Sequence, residues 1–168
     1  MQYQHHFEHA DDIIAHWRDL VPTLSDPLLS PKYVGFASIA GVTVYELAIK
    51  EIFISFSQKK HRIFGHYAES HFSRINGRIR VKDIKEEYIP RFGQKYVNRF
   101  CLNVEKKEKD HLRQYKRNIR NSYANMIAWR NQFAHEGQIN TTATFDEVVK
   151  AYEDGKEIIH CLARSMTR

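Results

Sequence analysis

The amino-acid sequence predicts an all-α protein, an up-and-down helical bundle with shorter helices inserted between a central helix and a later motif helix. Three observations predict this fold. Only 7 Gly and 4 Pro occur in 168 residues, so turns are few. Apolar residues recur at three- and four-residue intervals over long stretches. The chain is 42% hydrophobic and 27% charged, an ordinary globular composition. No repeat or linker divides it, and we expect one domain over residues 1–168.

The first two helices have recognisable ends. Apolar residues recur at helical spacing over residues 7–20, which predicts the first helix. Pro22 then interrupts the pattern. The second helix is predicted to begin at Ser30, because the following Pro31 is favourable at a first helical position. It runs to about Ser57, and its apolar residues lie on more than one face. Such a helix occupies the centre of a bundle.

Residues 58–91 are richer in charge and are predicted to form one or two shorter helices, with breaks near Asn76-Gly77 and Pro90. Lysines and arginines alternate here with aromatic residues such as Tyr67 and Phe72. This mixture is typical of surfaces that bind single-stranded RNA, where phosphates meet cations and bases stack on rings. The alternative is a solvated surface above ordinary core aromatics.

Two further helical stretches complete the chain. The first covers residues 95–133, with a break predicted around Asp110. The final helix is predicted to start at Thr144, because Thr144 and Glu147 have the spacing of a capping box. The apolar residues after Thr144 then mark its buried side.

The charge of the chain indicates a class of partner. A net charge of +6 and a pI near 9.3 favour a polyanion, either nucleic acid or a membrane surface. The longest uncharged stretch near the middle falls short of the roughly 20 residues of a membrane span, so no membrane partner is expected. Cys101 and Cys161 are isolated, as in reducing compartments, and the first residues lack a signal-peptide pattern. We expect a cytoplasmic protein.

The helical stretch that begins at residue 95 ends in the run Arg130-Asn131-Gln132-Phe133-Ala134-His135-Glu136-Gly137. Arg130 continues an apolar stripe that includes Tyr123, Met126 and Phe133. A guanidinium in such a stripe must be paired, or must face a cleft or a partner chain, because a buried unpaired charge is costly.

His135 is predicted to lie in the last helical turn, because Gly137 is a common helix stop. The helix dipole favours a protonated imidazole there, and histidine near neutral pH suits general acid–base chemistry. Arg130 is then placed to hold a phosphate oxygen, and Asn131 to orient either group. The spacing is equally compatible with structural roles, such as Arg130 capping carbonyls or pairing with Glu136.

A second stripe of the same stretch is basic at its start. On a continuous helix it would lead along one face to Asn131 and His135, and we predict that it binds RNA phosphates. The alternative is that its arginines pair with nearby acidic residues on a solvated surface. The basic residues predicted to bind RNA are Arg113, Lys116, Arg117 and Arg120.

The N-terminal histidines offer a different kind of site. His5, His9, Asp12 and His16 fall on one face of the first helix, and such residues can bind a transition metal. One helix does not easily surround a metal, so a solvated polar face is the favoured interpretation. No metal and no cofactor is predicted.

The segment from Arg130 to His135 resembles the Arg-x4–6-His motif of HEPN ribonucleases, in the subtype with asparagine after arginine and alanine before histidine. The context is similar too, since the motif ends a long helix and one amphipathic helix follows. The resemblance implies a HEPN-like helical domain and a metal-independent ribonuclease that acts as a homodimer, with both motifs facing one cleft. It implies Arg130, Asn131 and His135 as the catalytic residues.

The resemblance also implies a biological setting. HEPN proteins often serve as toxins or antiphage effectors, so an antitoxin or another defence-system protein is an implied partner. Toxins that a nucleotidyltransferase antitoxin inactivates have a tyrosine two residues after the histidine. Gly137 stands there in this chain, so that regulation is not expected.

The leading prediction is therefore a cytosolic endoribonuclease that cleaves RNA through attack by the ribose 2′-hydroxyl. Two alternatives remain: a non-catalytic helical module that binds RNA or a protein, and a metal-binding helical protein that uses the N-terminal histidines. Cleavage in excess chelator separates the first from the last, and RNA binding without cleavage favours the module.

Overall fold

The computed structural model describes residues 2–26 and 28–167, and within these residues it contains α-helices and no strand. The predicted all-α class is confirmed. The described helices are α1 His5–Leu20, α2 Ser30–Gln58, α3 Arg62–Phe72, α4 Val81–Asp83, α5 Gln94–Tyr115, α6 Ile119–Glu136 and α7 Phe145–Ser165. None of them is both long and apolar enough to cross a bilayer.

Helix α2 lies at the centre, as its apolar pattern predicted. It packs against α1, α3, α6 and α7. Tyr45 in its middle is fully buried between two other tyrosine rings, Tyr123 of α6 and Tyr152 of α7, with centroids 5.3 and 5.7 Å away. The Tyr45 hydroxyl donates to the Tyr152 carbonyl. Because α2, α6 and α7 share this core, the end of α6 is held against α2.

The start of α2 fixes the position of the motif end of α6. Gly35 lies directly under the Phe133 ring, and a Cβ atom at position 35 would overlap that ring. The neighbouring Phe36 packs edge-on against Phe133, with centroids 5.2 Å apart. Packing of Phe133 against α2 leaves the motif residues that follow it exposed at the edge of the bundle.

The inserted segment between α3 and α5 was predicted in part. The chain does break near Gly77, in the loop of residues 73–80, where Gly77 has a φ of 74°. The break predicted near Pro90 falls three residues later, at Gly93, whose φ is 115° and which precedes α5. After α4 the chain continues as a π turn over Ile84–Tyr88 and a 3-10 turn over Ile89–Phe92, in which proline near the start is tolerated.

The break predicted around Asp110 is wrong. Helix α5 continues to Tyr115, and the chain turns at Lys116, whose φ is 58°. Asn118 then caps α6 by accepting a hydrogen bond from the Asn121 amide at 2.9 Å. A side-chain cap favours a new helix at this point, whereas Asp110 is simply an exposed residue within α5.

The capping box of the last helix is confirmed. The Thr144 hydroxyl oxygen accepts from the Glu147 amide at 3.2 Å, and the Glu147 carboxylate accepts from the Thr144 amide at 2.8 Å. The apolar face of α7 that follows is buried against α2, α5 and α6.

Candidate active site

The motif lies at the C-terminal end of α6. The helix ends at Glu136, and Gly137 follows in the left-handed conformation with a φ of 64°. The Gln138 amide donates to the Gln132 carbonyl at 3.0 Å, which satisfies one of the terminal carbonyls. His135 is therefore in the last helical turn, as predicted.

Arg130 is anchored by an acidic residue of the central helix. Its Nη2 donates to the Oε1 atom of Glu46 at 3.2 Å. The same oxygen accepts the Gly77 amide at 2.9 Å. Only 13% of the Arg130 side chain and 18% of the Glu46 side chain are exposed. The prediction that Arg130 needs a partner or a cleft is thus correct, and the partner is Glu46 of α2 rather than Glu136.

Gly77 is required where it stands. Its positive φ favours glycine, and a Cβ there would lie 3.4 Å from Nη2 of Arg130. The loop of residues 73–80 therefore approaches the guanidinium as a bare backbone. It is tied to α2 a second time, since Lys50 Nζ donates to Asn76 Oδ1 at 3.1 Å.

Arg130 also contacts the motif histidine. Its Nη1 lies 3.3 Å from Nε2 of His135, which is exposed. A guanidinium has only donors, so this contact is a hydrogen bond only when Nε2 carries no proton. The tautomer with its proton on Nδ1 can accept this hydrogen bond through Nε2, and an Nε2 atom without a proton is the form that a general base requires.

The three predicted catalytic residues share one open cavity of about 570 Å³. Arg130, Asn131 and His135 all line it, together with Asn76 and Arg78 from the loop of residues 73–80. The cavity therefore combines two arginines, two amides, an imidazole and two carboxylates, one of which pairs with Arg130. The arginines, amides and imidazole are groups suited to a phosphodiester.

Sequence reasoning missed the residues that come from outside α6. Glu46, Gly77 and Arg78 belong to the cavity but lie far from the motif in sequence. One signal existed: an acidic residue stood at position 46 in the middle of the long apolar α2, where a charge needs a partner.

The basic row predicted to lead to His135 is not one helical face, because the chain turns at residues 116–118. Two of its members have acidic partners. Arg117 donates to both Asp154 carboxylate oxygens at 2.8 Å, and Arg120 lies 3.4 Å from Glu108. Arg113 and Lys116 are exposed and form no ion pair with any residue that the structure describes.

Asp154 is the centre of a buried polar cluster. Besides Arg117, it binds His111 Nε2 at 2.7 Å and the Ser122 hydroxyl at 2.9 Å, and it is 1% exposed. Burial by itself would raise the pKa of Asp154, but the hydrogen bonds from Arg117, Ser122 and His111 outweigh it and lower that pKa. The cluster fastens the α5–α6 turn to α7 and gives Arg117 a structural role.

The predicted histidine face does not assemble as a metal site. In the described part of the chain, the grouping with metal-ligand spacing is instead His5, His6 and Glu51. His6 Nε2 lies 2.8 Å from the Glu51 carboxylate. His9, Asp12 and His16 are exposed and lie outside the group. Burial lowers the pKa of His6, and the nearby His5 lowers it further.

Comparison with known proteins gives one result. The family model described as RiboL-PSP-HEPN matches residues 5–168, which runs from the first residue of α1 to the end of the chain. No curated protein and no solved structure matches the chain significantly.

Proposed function

Because the chain belongs to the RiboL-PSP-HEPN family, we propose that it is a metal-independent endoribonuclease whose active site is the cavity around Arg130 and His135. One observation supports this proposal most directly. The Arg130 guanidinium and the His135 imidazole are 3.3 Å apart at the wall of an open cavity. This distance supports the proposal because an arginine can bind phosphate and a histidine can accept a proton.

The reaction follows from the ribose itself. His135 Nε2 takes the proton of a ribose 2′-hydroxyl, and the 2′-oxygen attacks the adjacent phosphorus. The bond from phosphorus to the 5′-oxygen breaks, which gives a 2′,3′-cyclic phosphate on one product and a 5′-hydroxyl on the other. A proton donor completes the reaction by protonating the leaving 5′-oxygen.

Arg130 stabilises the charge that develops on the phosphate. Glu46 holds the Nη2 edge, so the guanidinium is fixed while Nη1 faces His135. A phosphate oxygen that binds Nη1 replaces the contact to His135 and frees Nε2 for the 2′-hydroxyl. Asn131 lines the same cavity and orients the substrate. Lysine is a poor substitute for Arg130, because it lacks the planar two-pronged donor.

The proposed assembly is a two-fold homodimer. The reaction needs a base and an acid, and the cavity of one chain holds one histidine, His135, among the described residues. A second copy with its motif facing the same groove supplies the second imidazole. Arg113 and Lys116, which are exposed, are retained as proposed phosphate contacts, at the other end of α6 from the motif.

We propose a cytoplasmic toxin or antiphage effector as the biological role, with an antitoxin or another defence-system protein as a further partner. The +6 net charge supports RNA as the substrate. Gly137, in place of tyrosine, argues against inactivation by a nucleotidyltransferase antitoxin.

A second candidate is a non-catalytic module that binds RNA or a protein. The ion pair between Arg130 and Glu46 favours it, because that pair gives Arg130 a structural reason to be present. The two candidates differ in one observable property, which is the breaking of a phosphodiester bond.

The test uses purified protein and a labelled single-stranded RNA in excess chelator. The proposal expects cleavage to products with 2′,3′-cyclic phosphate or 3′-phosphate ends, and growth arrest with RNA loss on expression in cells. Binding of the RNA without any cleavage would support the non-catalytic module. Cleavage that disappears with chelator and returns with a divalent metal would contradict the metal-independent mechanism.

A further inference from the structure

A second cavity adjoins the candidate active site. It has a volume of about 630 Å³ and lies between the end of α3, the loop of residues 73–80 and the turns that follow α4. Its wall contains three arginines, two tyrosine rings and one imidazole ring. These residues are Tyr67, His71, Arg74, Arg78, Tyr88 and Arg91.

The three arginines of this cavity are not neutralised. Arg74, Arg78 and Arg91 form no ion pair with any carboxylate in the described parts of the chain. The Arg91 Nε donates to the main-chain oxygen of Glu87 at 2.9 Å, and Glu87 is the one acidic residue of the wall. Three guanidinium groups around one acid leave a positive cavity, and arginine is the residue that best recognises phosphate.

The aromatic side of the cavity has the geometry of a stacking platform. The Tyr67 and His71 rings are nearly parallel, with an angle of 5° and centroids 6.3 Å apart. Tyr67 is 60% exposed, although it is a large ring. Burial, and then the neighbouring Arg91, lowers the pKa of His71, so its ring is neutral near pH 7. An exposed ring beside cations is the pattern with which proteins bind unpaired bases.

The buried side of the cavity is held in place by a hydrogen bond from Tyr88. Tyr88 is 4% exposed, and its hydroxyl donates to the Arg78 carbonyl at 2.8 Å. That bond fixes the backbone of the loop at the place where it separates the two cavities.

The two cavities share a wall. Asn76 and Arg78 line both this cavity and the one around Arg130 and His135. A polynucleotide with its scissile phosphate at Arg130 therefore passes Arg78 and enters the second cavity without leaving the protein surface.

We propose that this cavity is a nucleotide subsite for single-stranded RNA. An unpaired base beside the scissile phosphodiester stacks on Tyr67, and its phosphates bind Arg74, Arg78 and Arg91. The inference rests on the proposed ribonuclease function for the identity of the ligand. The stacking platform favours RNA over an anionic membrane, which offers charge but no base.

The experiment measures binding apart from cleavage. All variants are made in the His135→Ala background, and the affinity for a labelled single-stranded RNA is read by fluorescence anisotropy over a salt series. Arg74→Gln with Arg91→Gln removes two charges from the subsite and leaves the residues of the catalytic cavity in place. The matched control is Arg18→Gln with Arg164→Gln, two exposed arginines that line neither cavity.

The subsite variant is expected to bind RNA at least about tenfold more weakly. Because two phosphate contacts are removed, the slope of the logarithm of the binding constant against the logarithm of salt concentration should become less steep by about 1.4. Tyr67→Ala is expected to weaken binding about five- to 100-fold while Tyr67→Phe stays near the parent, since the ring provides the stacking. The control pair should change affinity less than about twofold, in keeping with charges far from the ligand.

Two results would overturn the inference: RNA binding by the subsite variant equal to that of the control pair, or binding by Tyr67→Ala equal to that by Tyr67→Phe. A loss of binding to anionic vesicles with RNA affinity intact would assign the surface to a membrane instead. These outcomes are independent of cleavage. If the wild type cuts RNA but the subsite variant binds RNA as well as the control pair does, the subsite alone is refuted. A protein that never cuts RNA, yet loses binding as predicted, refutes the ribonuclease alone.

Discussion

One carboxylate oxygen of Glu46 lies 3.2 Å from the Arg130 guanidinium, although the two residues are 84 positions apart. The same oxygen binds the Gly77 amide, so Glu46 joins α2, the end of α6 and the loop of residues 73–80. That loop contributes Asn76 and Arg78 to the wall shared by both cavities. The geometry of the proposed active site therefore depends on a residue of the central helix that is distant from the motif in sequence.

Glu46→Gln tests this dependence. Glutamine keeps an acceptor for the Gly77 amide but removes the charge that balances Arg130. We expect the free energy of unfolding to fall by about 1–3 kcal/mol, because a charge-assisted hydrogen bond in a partly buried site is lost. Cleavage should fall as well, since Arg130 is no longer fixed. Urea unfolding and initial rates of cleavage measure the two effects.

Glu51→Gln is the control for that variant. Glu51 lies on the same helix and pairs with His6 on another side of the bundle. It should leave cleavage unchanged. Wild-type stability together with wild-type cleavage in Glu46→Gln would show that Glu46 does not position Arg130.

Arg117→Gln and Arg113→Gln should separate a structural arginine from a proposed RNA contact. Arg117 binds buried Asp154 through two hydrogen bonds, so its loss should lower the melting temperature. Arg113 is exposed and unpaired among the described residues, so its loss should spare stability and weaken RNA binding at low salt only, as expected for one phosphate contact. Equal melting temperatures for both variants would contradict the structural role of Arg117.

The stability of the fold should depend on pH through Asp154. Its pKa is lower in the folded chain than the ordinary aspartate value of about 4, because Arg117, Ser122 and His111 bind the carboxylate. A depressed pKa contributes stability that is present above that ordinary value and is lost as the pH falls through the folded value. Asp154→Asn should therefore cost about 2–3 kcal/mol at neutral pH and progressively less below about pH 4.

Chemical denaturation of wild type and Asp154→Asn at several pH values measures this difference. Parallel stability curves from neutral to acid pH would mean that Asp154 contributes through its shape alone.

The helices whose local signals are strong were predicted closely. Ser30 and Pro31 start α2, and Thr144 and Glu147 cap α7, because these ends are determined by neighbouring residues. The α5–α6 turn was misplaced, since no glycine or proline marks it. Lys116 adopts the left-handed conformation there, and Arg117 is tied to Asp154 of α7, a contact between residues 37 positions apart.

The candidate site shows the same division. The motif and its position in the last turn of α6 follow from residues close in sequence. The need of Arg130 for a partner was predicted from its apolar stripe. The identity of that partner depends on how α2 and the loop of residues 73–80 pack against α6, which the spacing of residues within one helix does not reveal.

A homodimer is predicted for the free protein. Light scattering during size-exclusion chromatography should give about twice the chain mass of 19.9 kDa. The reason is chemical, since the proposed mechanism takes its proton donor from the second His135. A strictly monomeric protein with full cleavage activity would refute the shared groove.

The most direct test of the proposed function compares His135→Ala with wild type. His135 is exposed, and its side chain contacts Arg130, so alanine should leave the melting temperature nearly unchanged. Arg130→Ala is less clean, because it leaves Glu46 without its counter-ion and should also lower stability. His16→Ala, at another exposed histidine, is the control. In excess chelator, wild type and His16→Ala are expected to cut RNA to 2′,3′-cyclic phosphate ends, and His135→Ala to cut at least about 100-fold more slowly, as for the loss of a general base. Equal cleavage by wild type and His135→Ala would contradict the proposed function.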